Sequence, residues 1–112
     1  MTRIFVTTNV FDKQWRALGL SDNDLRELET YLMENPDSGD IIINTGGAVK
    51  LRWALPDTGK SSGIRIIYID FAAFDKIYFL TCYIKSKKDN LTNDEKNIIK
   101  NMIKSIKIRK GK

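Results

Sequence analysis

The amino-acid sequence predicts a single α+β domain, residues 1–112, in which helices pack on one face of a mostly antiparallel sheet. Three observations predict this class. Apolar residues at helical spacing indicate amphipathic helices, and runs rich in β-branched and aromatic residues indicate strands. No internal repeat and no change of composition marks a second domain.

The first half of the chain predicts a strand followed by two helices. Residues 4–8 (IFVTT) form the strand, and residues 11–18 form a short helix. Ser21 is a good N-cap for the second helix, which ends at Asn35 because a residue before proline avoids the α region. The buried stripe of this helix consists of Leu25, Leu28 and Leu32.

The second half is rich in strands and ends in a helix. Segment 37–47 contains three glycines and predicts a loop, or a loop with a short edge strand at 41–43. Thr92 and Glu95 have the spacing of a capping box, which predicts that the last helix begins there. The predicted strands are 50–54, 64–71 and 77–84, and the last two form an antiparallel hairpin.

The rare residue types exclude several kinds of chemistry. The chain has no histidine, so catalysis by Ser-His-Asp or Cys-His arrangements is excluded within it. The single cysteine, Cys82, lies in a predicted strand and is expected to be a small buried residue. We predict no metal site and no cofactor. No apolar run approaches the ~20 residues of a membrane span, so we expect a cytoplasmic protein without a membrane partner.

The positive charge is concentrated at the C-terminal end. The net charge is −4 over residues 1–47, +2 over 48–84 and +7 over 85–112. This distribution indicates a polyanionic partner such as nucleic acid, although a solvated lysine-rich helix is an equally simple interpretation of the last segment. The predicted RNA- or ribosome-binding residues are Lys60, Lys87, Lys88, Lys96, Lys100 and Lys104, the last three on the face of the terminal helix opposite its apolar face.

A second group of cations is predicted to converge on the sheet. In the stretch AVKLRWA, strand alternation places Lys50 and Arg52 on the face opposite the apolar residues. Antiparallel pairing brings the start of one hairpin strand beside the end of the next. We therefore expect an open sheet face with no sequence-local acid, formed by Lys50, Arg52, Arg65, Tyr83 and Lys85.

Such a group suits cleavage of RNA by its own 2′-hydroxyl. Mutual repulsion favours the neutral form of a lysine, which can take or give a proton. Arginine holds a phosphate bidentately and stabilises the charge of a pentacoordinate phosphorane. Tyr83 can stack on a base or assist proton transfer. Each of these cations, taken alone, is also an ordinary solubilising residue of an exposed strand.

The order of short motifs resembles the RelE/ParE superfamily of bacterial type II toxins, and is most similar to its HigB-type branch. These motifs are GG-x-x-K-L-R-W at 46–53, G-x-R-I-I-Y at 63–68, Y-F-L-T-x-Y-x-K at 78–85 and D-x-L-T at 89–92. The resemblance covers essentially the whole chain. It implies a RelE-like microbial RNase fold, with a curved sheet, two N-terminal helices and one C-terminal helix. It also implies ribosome-dependent cleavage of mRNA in the A site, and a HigA-like helix-turn-helix antitoxin.

The resemblance assigns catalytic roles to the same five residues. Lys50 and Arg52 match the paired basic positions of the family's second strand, and Arg65 matches the arginine of G-x-R. Lys85 and Tyr83 match the Y-x-K motif that closes the last strand. Two alternatives stay open: a ParE-like inhibitor that blocks DNA gyrase without cutting RNA, and an RNA-binding module that does not cleave.

Overall fold

The computed structural model describes residues 3–54, 63–85, 88 and 90–110, and these form three helices and five strands. In chain order, a strand is followed by two helices, a short edge strand, three longer strands and a terminal helix. The elements are β1 (Ile4–Thr7), α1 (Asn9–Ala17), α2 (Asp22–Glu34), β2 (Asp40–Ile41), β3 (Val49–Trp53), β4 (Ile64–Phe71), β5 (Lys76–Ile84) and α3 (Asn93–Lys110).

The strands form one open, mixed sheet in the order β1-β5-β4-β3-β2. β1 runs parallel to β5, and every other neighbouring pair is antiparallel. The register of the β4–β5 pair shifts between Ile67 and Tyr68, where a bulge interrupts the ladder. The predicted α+β class and the hairpin of the last two long strands are confirmed.

The helices lie on both faces of the sheet. α1 and α2 cover one face through a core that includes Phe11, Leu28 and Phe79. α3 covers the other face through Ile99 and Ile103. The expectation that all helices pack on one face is therefore wrong. Its physical reason is visible in β4, which is buried at nearly every position because it is covered on both sides.

The helix ends follow the predicted capping chemistry. Ser21 accepts a hydrogen bond from the Asp24 backbone N–H at 3.1 Å, and the Asp24 carboxylate accepts from the Ser21 N–H at 2.8 Å. Thr92 and Glu95 make the same reciprocal pair at the start of α3, with distances of 3.1 and 2.8 Å. Among the described residues, no helix is long and apolar enough to cross a membrane.

β2 is an edge strand that is held close to β3 by a glycine. Within the predicted segment 37–47, it occupies Asp40–Ile41 instead of 41–43. A Cβ atom on Gly39 would lie 2.4 Å from Val49 Cγ1 and 2.7 Å from the Lys50 carbonyl oxygen. The chain can therefore pass this close to β3 only at a residue without a side chain.

Candidate active site

The sheet register places three of the predicted site residues in one row. Arg52 of β3 lies opposite Arg65 of β4, which lies opposite Tyr83 of β5. Directly opposite residues of a sheet point to the same face, so these side chains are neighbours. Lys50 lies two residues along β3 on the same face. This is the face that carries α3, and the helix packs over β4 and β5.

A groove of about 710 Å³ opens on this face at the end of β3. Its cationic wall, which we call the basic groove wall, consists of Lys50, Arg52, Arg65 and Lys85. Lys85 is held in this wall because its backbone N–H donates to the Gly63 carbonyl at 2.8 Å. The structure thus brings together four of the five residues that the sequence predicts as catalytic.

Arg65 is the most unusual member of the groove. Arg65 is only 7% exposed. Within the described structure, its guanidinium makes a single hydrogen bond, in which Nη1 donates to the neighbouring Ile64 carbonyl at 3.4 Å. No carboxylate of the described residues lies within 4 Å of its guanidinium. A buried cation is costly unless it is paired, so this guanidinium is poised for an anionic ligand.

Tyr83 lies beside the groove but does not line it. Its hydroxyl is buried and has no hydrogen-bond partner among the described residues. Burial raises the pKa of this phenol, while the nearby Arg65 charge opposes the increase. Tyr83 therefore keeps its proton at neutral pH.

Lys88 is directed toward Tyr83 instead of the groove. Its ammonium lies 5.1 Å from the centre of the Tyr83 ring and forms an ion pair with Glu95 of α3. Burial lowers the pKa of this lysine. The sequence-based assignment of Lys88 to RNA binding stays a prediction. Lys60 and Lys87 lie outside the described residues.

The lysines of α3 lie on one flank of the helix. Successive residues of a helix are rotated by about 100°, so Lys96, Lys100 and Lys104 flank the buried Ile99 and Ile103 and are not all opposite to them. Lys107, on the same flank, donates from its ammonium to the Gly46 carbonyl at 3.3 Å. This lysine flank therefore faces the side of the molecule that carries the β2–β3 loop.

An acid that is distant in sequence lies beside the predicted cations. Asp40 of β2 lies directly opposite Lys50 and lines the same groove. The sequence predicts a loop, or a loop with a short edge strand at 41–43, for residues 37–47, and this pattern does not place Asp40 in register with β3. The groove is also lined by Tyr31, Ser38, Asp40 and Asn90.

Cys82 is a core residue. It is 1% exposed and packs with the α1–α2 side of the sheet. Burial raises the pKa of its thiol to about 12. The expectation that it is a small buried residue is confirmed, and its thiol is protonated and shielded at neutral pH.

Comparison with known proteins agrees with this architecture. A family described as the RelE toxin of the RelE / RelB toxin-antitoxin system matches residues 2–112. The structure is similar to that of a double arginine-to-alanine mutant of the E. coli toxin RelE in the free state. The TM-score is 0.56 at 14% identity, over 80% of this chain and 90% of that chain. The likeness shows a common fold, and the match of the family over nearly the whole length shows that this chain belongs to the RelE family of toxins of toxin–antitoxin systems.

Proposed function

We propose that this toxin is an endoribonuclease that cleaves mRNA in the ribosomal A site and so inhibits translation. The observation that carries the proposal is Arg65, a buried guanidinium without a carboxylate partner in the described structure, in a groove with three further cations. A phosphodiester supplies the anionic partner that Arg65 lacks among the described residues. Membership of the RelE family is consistent with this activity.

The reaction uses the nucleophile of the RNA itself. The 2′-hydroxyl oxygen attacks the adjacent phosphorus, its proton passes to a base, and the bond to the 5′-oxygen breaks as that oxygen takes up a proton. The products are a 2′,3′-cyclic phosphate and a 5′-hydroxyl. This pathway needs neither a metal ion nor a covalent enzyme intermediate.

The groove residues take separate roles in this reaction. Arg52 and Arg65 lie opposite each other in the sheet and bind the phosphate, so they stabilise the extra charge of the phosphorane. Lys50 and Lys85 line the same groove and are the candidates for proton transfer. Tyr83 is the candidate acid, because it lies directly opposite Arg65 in the sheet and a tyrosine is protonated at neutral pH.

The rest of the surface suggests how substrate and inhibitor are recognised. The lysine flank of α3 is a cationic strip that binds ribosomal RNA in this proposal. The target places the activity in the cytoplasm. The cognate antitoxin is a HigA-like helix-turn-helix protein, as the motif order of the HigB-type branch implies.

A cleavage assay tests the proposal. Purified protein is added to ribosomes programmed with a defined mRNA, to the same mRNA without ribosomes, and to a DNA gyrase supercoiling reaction. We expect cuts that require ribosomes, at A-site codons, with 2′,3′-cyclic phosphate ends.

The other outcomes identify the alternatives. Intact mRNA with inhibited supercoiling would show a ParE-like gyrase inhibitor and overturn the proposal. Ribosome binding without cuts would show an RNA-binding module, and would overturn the catalytic roles given to the groove residues.

A further inference from the structure

The cleavage proposed above requires a base that takes the proton of the 2′-hydroxyl, and the residues of the groove differ in their ability to supply one. The chain has no histidine, the side chain whose ordinary pKa lies closest to neutral pH. Arginine stays protonated, and the ammonium form of a lysine has no acceptor atom. A lysine of the basic groove wall must therefore lose its own proton before it can remove another.

Asp40 is the one carboxylate among the described residues that line the groove. It is exposed and, within the described part of the chain, forms no ion pair, although Lys50 lies directly opposite. An aspartate is ordinarily ionised at neutral pH, and an ionised carboxylate only accepts hydrogen bonds. Asp40 thus offers a proton acceptor that needs no prior deprotonation.

The sheet register places Asp40 within reach of a phosphate bound at the cations. Asp40 pairs with Lys50, and Arg52 lies two residues farther along β3 on the same face. Such diagonal neighbours of a sheet are about 7–8 Å apart. A phosphate and its adjacent 2′-hydroxyl can bridge this separation when each forms a hydrogen bond of about 2.8 Å to the protein. One nucleotide can therefore contact Arg52 and Asp40 together.

The backbone around Asp40 is held in place. Gly39 approaches the β3 backbone so closely that no side chain fits there. The Tyr68 hydroxyl donates to the Pro36 carbonyl at 2.9 Å and ties the start of this segment to the core. A catalytic group must stay within about 0.5 Å of its productive position, and a backbone that is fixed on both sides favours this.

Phosphate affinity does not explain an acid in this groove, because the carboxylate of Asp40 repels the RNA backbone. We infer that Asp40 is the general base of the proposed cleavage, so this inference rests on the proposed function. The carboxylate takes the 2′-hydroxyl proton while the 2′-oxygen forms a bond to phosphorus. The bond from phosphorus to the 5′-oxygen breaks as that oxygen takes a proton from the acid of the site. Asp40 then releases its proton to water, which restores the carboxylate.

The rate of cleavage and the affinity for RNA should change in opposite directions when the carboxylate is removed. Asp40→Asn should lower the single-turnover cleavage rate on programmed ribosomes about 10²–10³-fold. It should bind ribosomes that carry an uncleavable 2′-O-methyl mRNA as tightly as the wild type or more tightly, because a charge that repels phosphate is lost. Asp40→Glu restores the carboxylate and should cleave faster than Asp40→Asn.

Asp37→Asn is the matched control. Asp37 is exposed, lies in the same segment and does not line the groove, so the same change of charge should leave the cleavage rate at the wild-type value.

Two further measurements separate a carboxylate base from a lysine base and from an acid. The wild-type rate should stay nearly constant from about pH 6 to about pH 8, since carboxylates are ionised throughout this range, whereas a lysine base would give an increase of about tenfold per pH unit. An mRNA with sulfur in place of the scissile 5′-oxygen has a leaving group that needs no acid. The defect of Asp40→Asn should persist on this substrate.

The outcomes distinguish the role of Asp40 from the activity itself. Equal cleavage rates of Asp40→Asn and Asp37→Asn would overturn the inference while the proposed function stands. A wild-type rate that rises steadily to pH 8, or a defect of Asp40→Asn that the sulfur substrate relieves, would do the same. Uncleaved mRNA with the wild-type protein would overturn the proposed function and, with it, the role of Asp40.

Discussion

Two buried arginines of this protein have opposite environments. Arg3 is 5% exposed and precedes β1, where its Nε and Nη2 atoms donate to the two Asp70 carboxylate oxygens at 2.8 and 3.3 Å. The hydrogen bond to Asp70 raises the pKa of Arg3. Arg65 is 7% exposed and faces no such carboxylate among the described residues.

The difference separates a structural charge from a charge available to a ligand. The Arg3 guanidinium is already neutralised within the fold, and Asp75 adds a further contact at 3.8 Å. Among the described residues, no carboxylate offsets the desolvation penalty of Arg65, and stability alone does not explain this arrangement. The comparison predicts that Arg3 variants lose stability, whereas Arg65 variants lose activity.

A carboxylate placed next to Arg65 should strongly reduce RNA cleavage, because Arg65 would then be neutralised within the fold as Arg3 is. Arg52→Glu places an acid directly opposite Arg65 in the sheet. We expect cleavage to fall by two or more orders of magnitude and the melting temperature to rise by a few degrees. Arg52→Gln is the control, because it removes the cation without adding the acid. A melting temperature of Arg52→Glu below that of Arg52→Gln would show that Arg65 does not lack a partner.

Breaking the Arg3 ion pair should affect stability alone. Arg3→Ala leaves the Asp70 carboxylate, which is mostly buried, without its bidentate partner. We expect a melting temperature lower by several degrees, measured by circular dichroism, and unchanged cleavage per folded molecule. Reduced cleavage at a temperature where the variant is fully folded would contradict the division between the two arginines.

The lysine flank of α3 should contribute to ribosome binding and not to the cleavage step. Changing Lys96, Lys100 and Lys104 to Glu should weaken ribosome binding and reduce the dependence of affinity on salt, because fewer counterions are released. The matched control reverses three exposed cations of α1 and α2, on the opposite face: Lys13, Arg16 and Arg26. If the two triple variants weakened ribosome binding equally, the affinity would depend on net charge and not on the position of the lysine flank.

Substitution of Cys82 should have the smallest effect, a change in the pH dependence of stability that appears only at alkaline pH. Its pKa is raised from an ordinary value near 9 to about 12, so the folded state resists ionisation of the thiol. The stabilisation is present in full below pH 9 and is lost as the pH rises toward 12. In urea titrations over this range, the wild type should lose more unfolding free energy than Cys82→Ala. Parallel pH profiles would indicate a thiol that is accessible to water.

The sequence predicts the scaffold well where local signals are strong. Ser21, Thr92 and the alternation around Lys50 indicate the correct element ends and the correct face. The placement of α3 on the second face depends on the burial of β4 from both sides, and an uninterrupted apolar run does not say which helix covers which side.

Two features of the site depend on long-range packing that the sequence pattern does not contain. Asp40 reaches the groove only because Gly39 lets β2 pair with β3. Tyr83 has the predicted orientation, but α3 and Lys88 cover its ring, and its catalytic role stays a prediction. Both outcomes are set by neighbours distant in sequence, which residue spacing cannot reveal.

Single-turnover cleavage by Arg65→Ala on programmed ribosomes tests the central claim most directly. The control variant is Arg16→Ala, because Arg16 is an exposed arginine of α1 that lies outside the groove. We predict that Arg65→Ala lowers the cleavage rate about 10²–10³-fold. The melting temperature should be equal to or above that of the wild type, since the variant removes a buried charge that has no carboxylate partner among the described residues. Arg16→Ala should cleave at the wild-type rate. Equal rates for the two variants would contradict the assignment of Arg65 to the reacting phosphate.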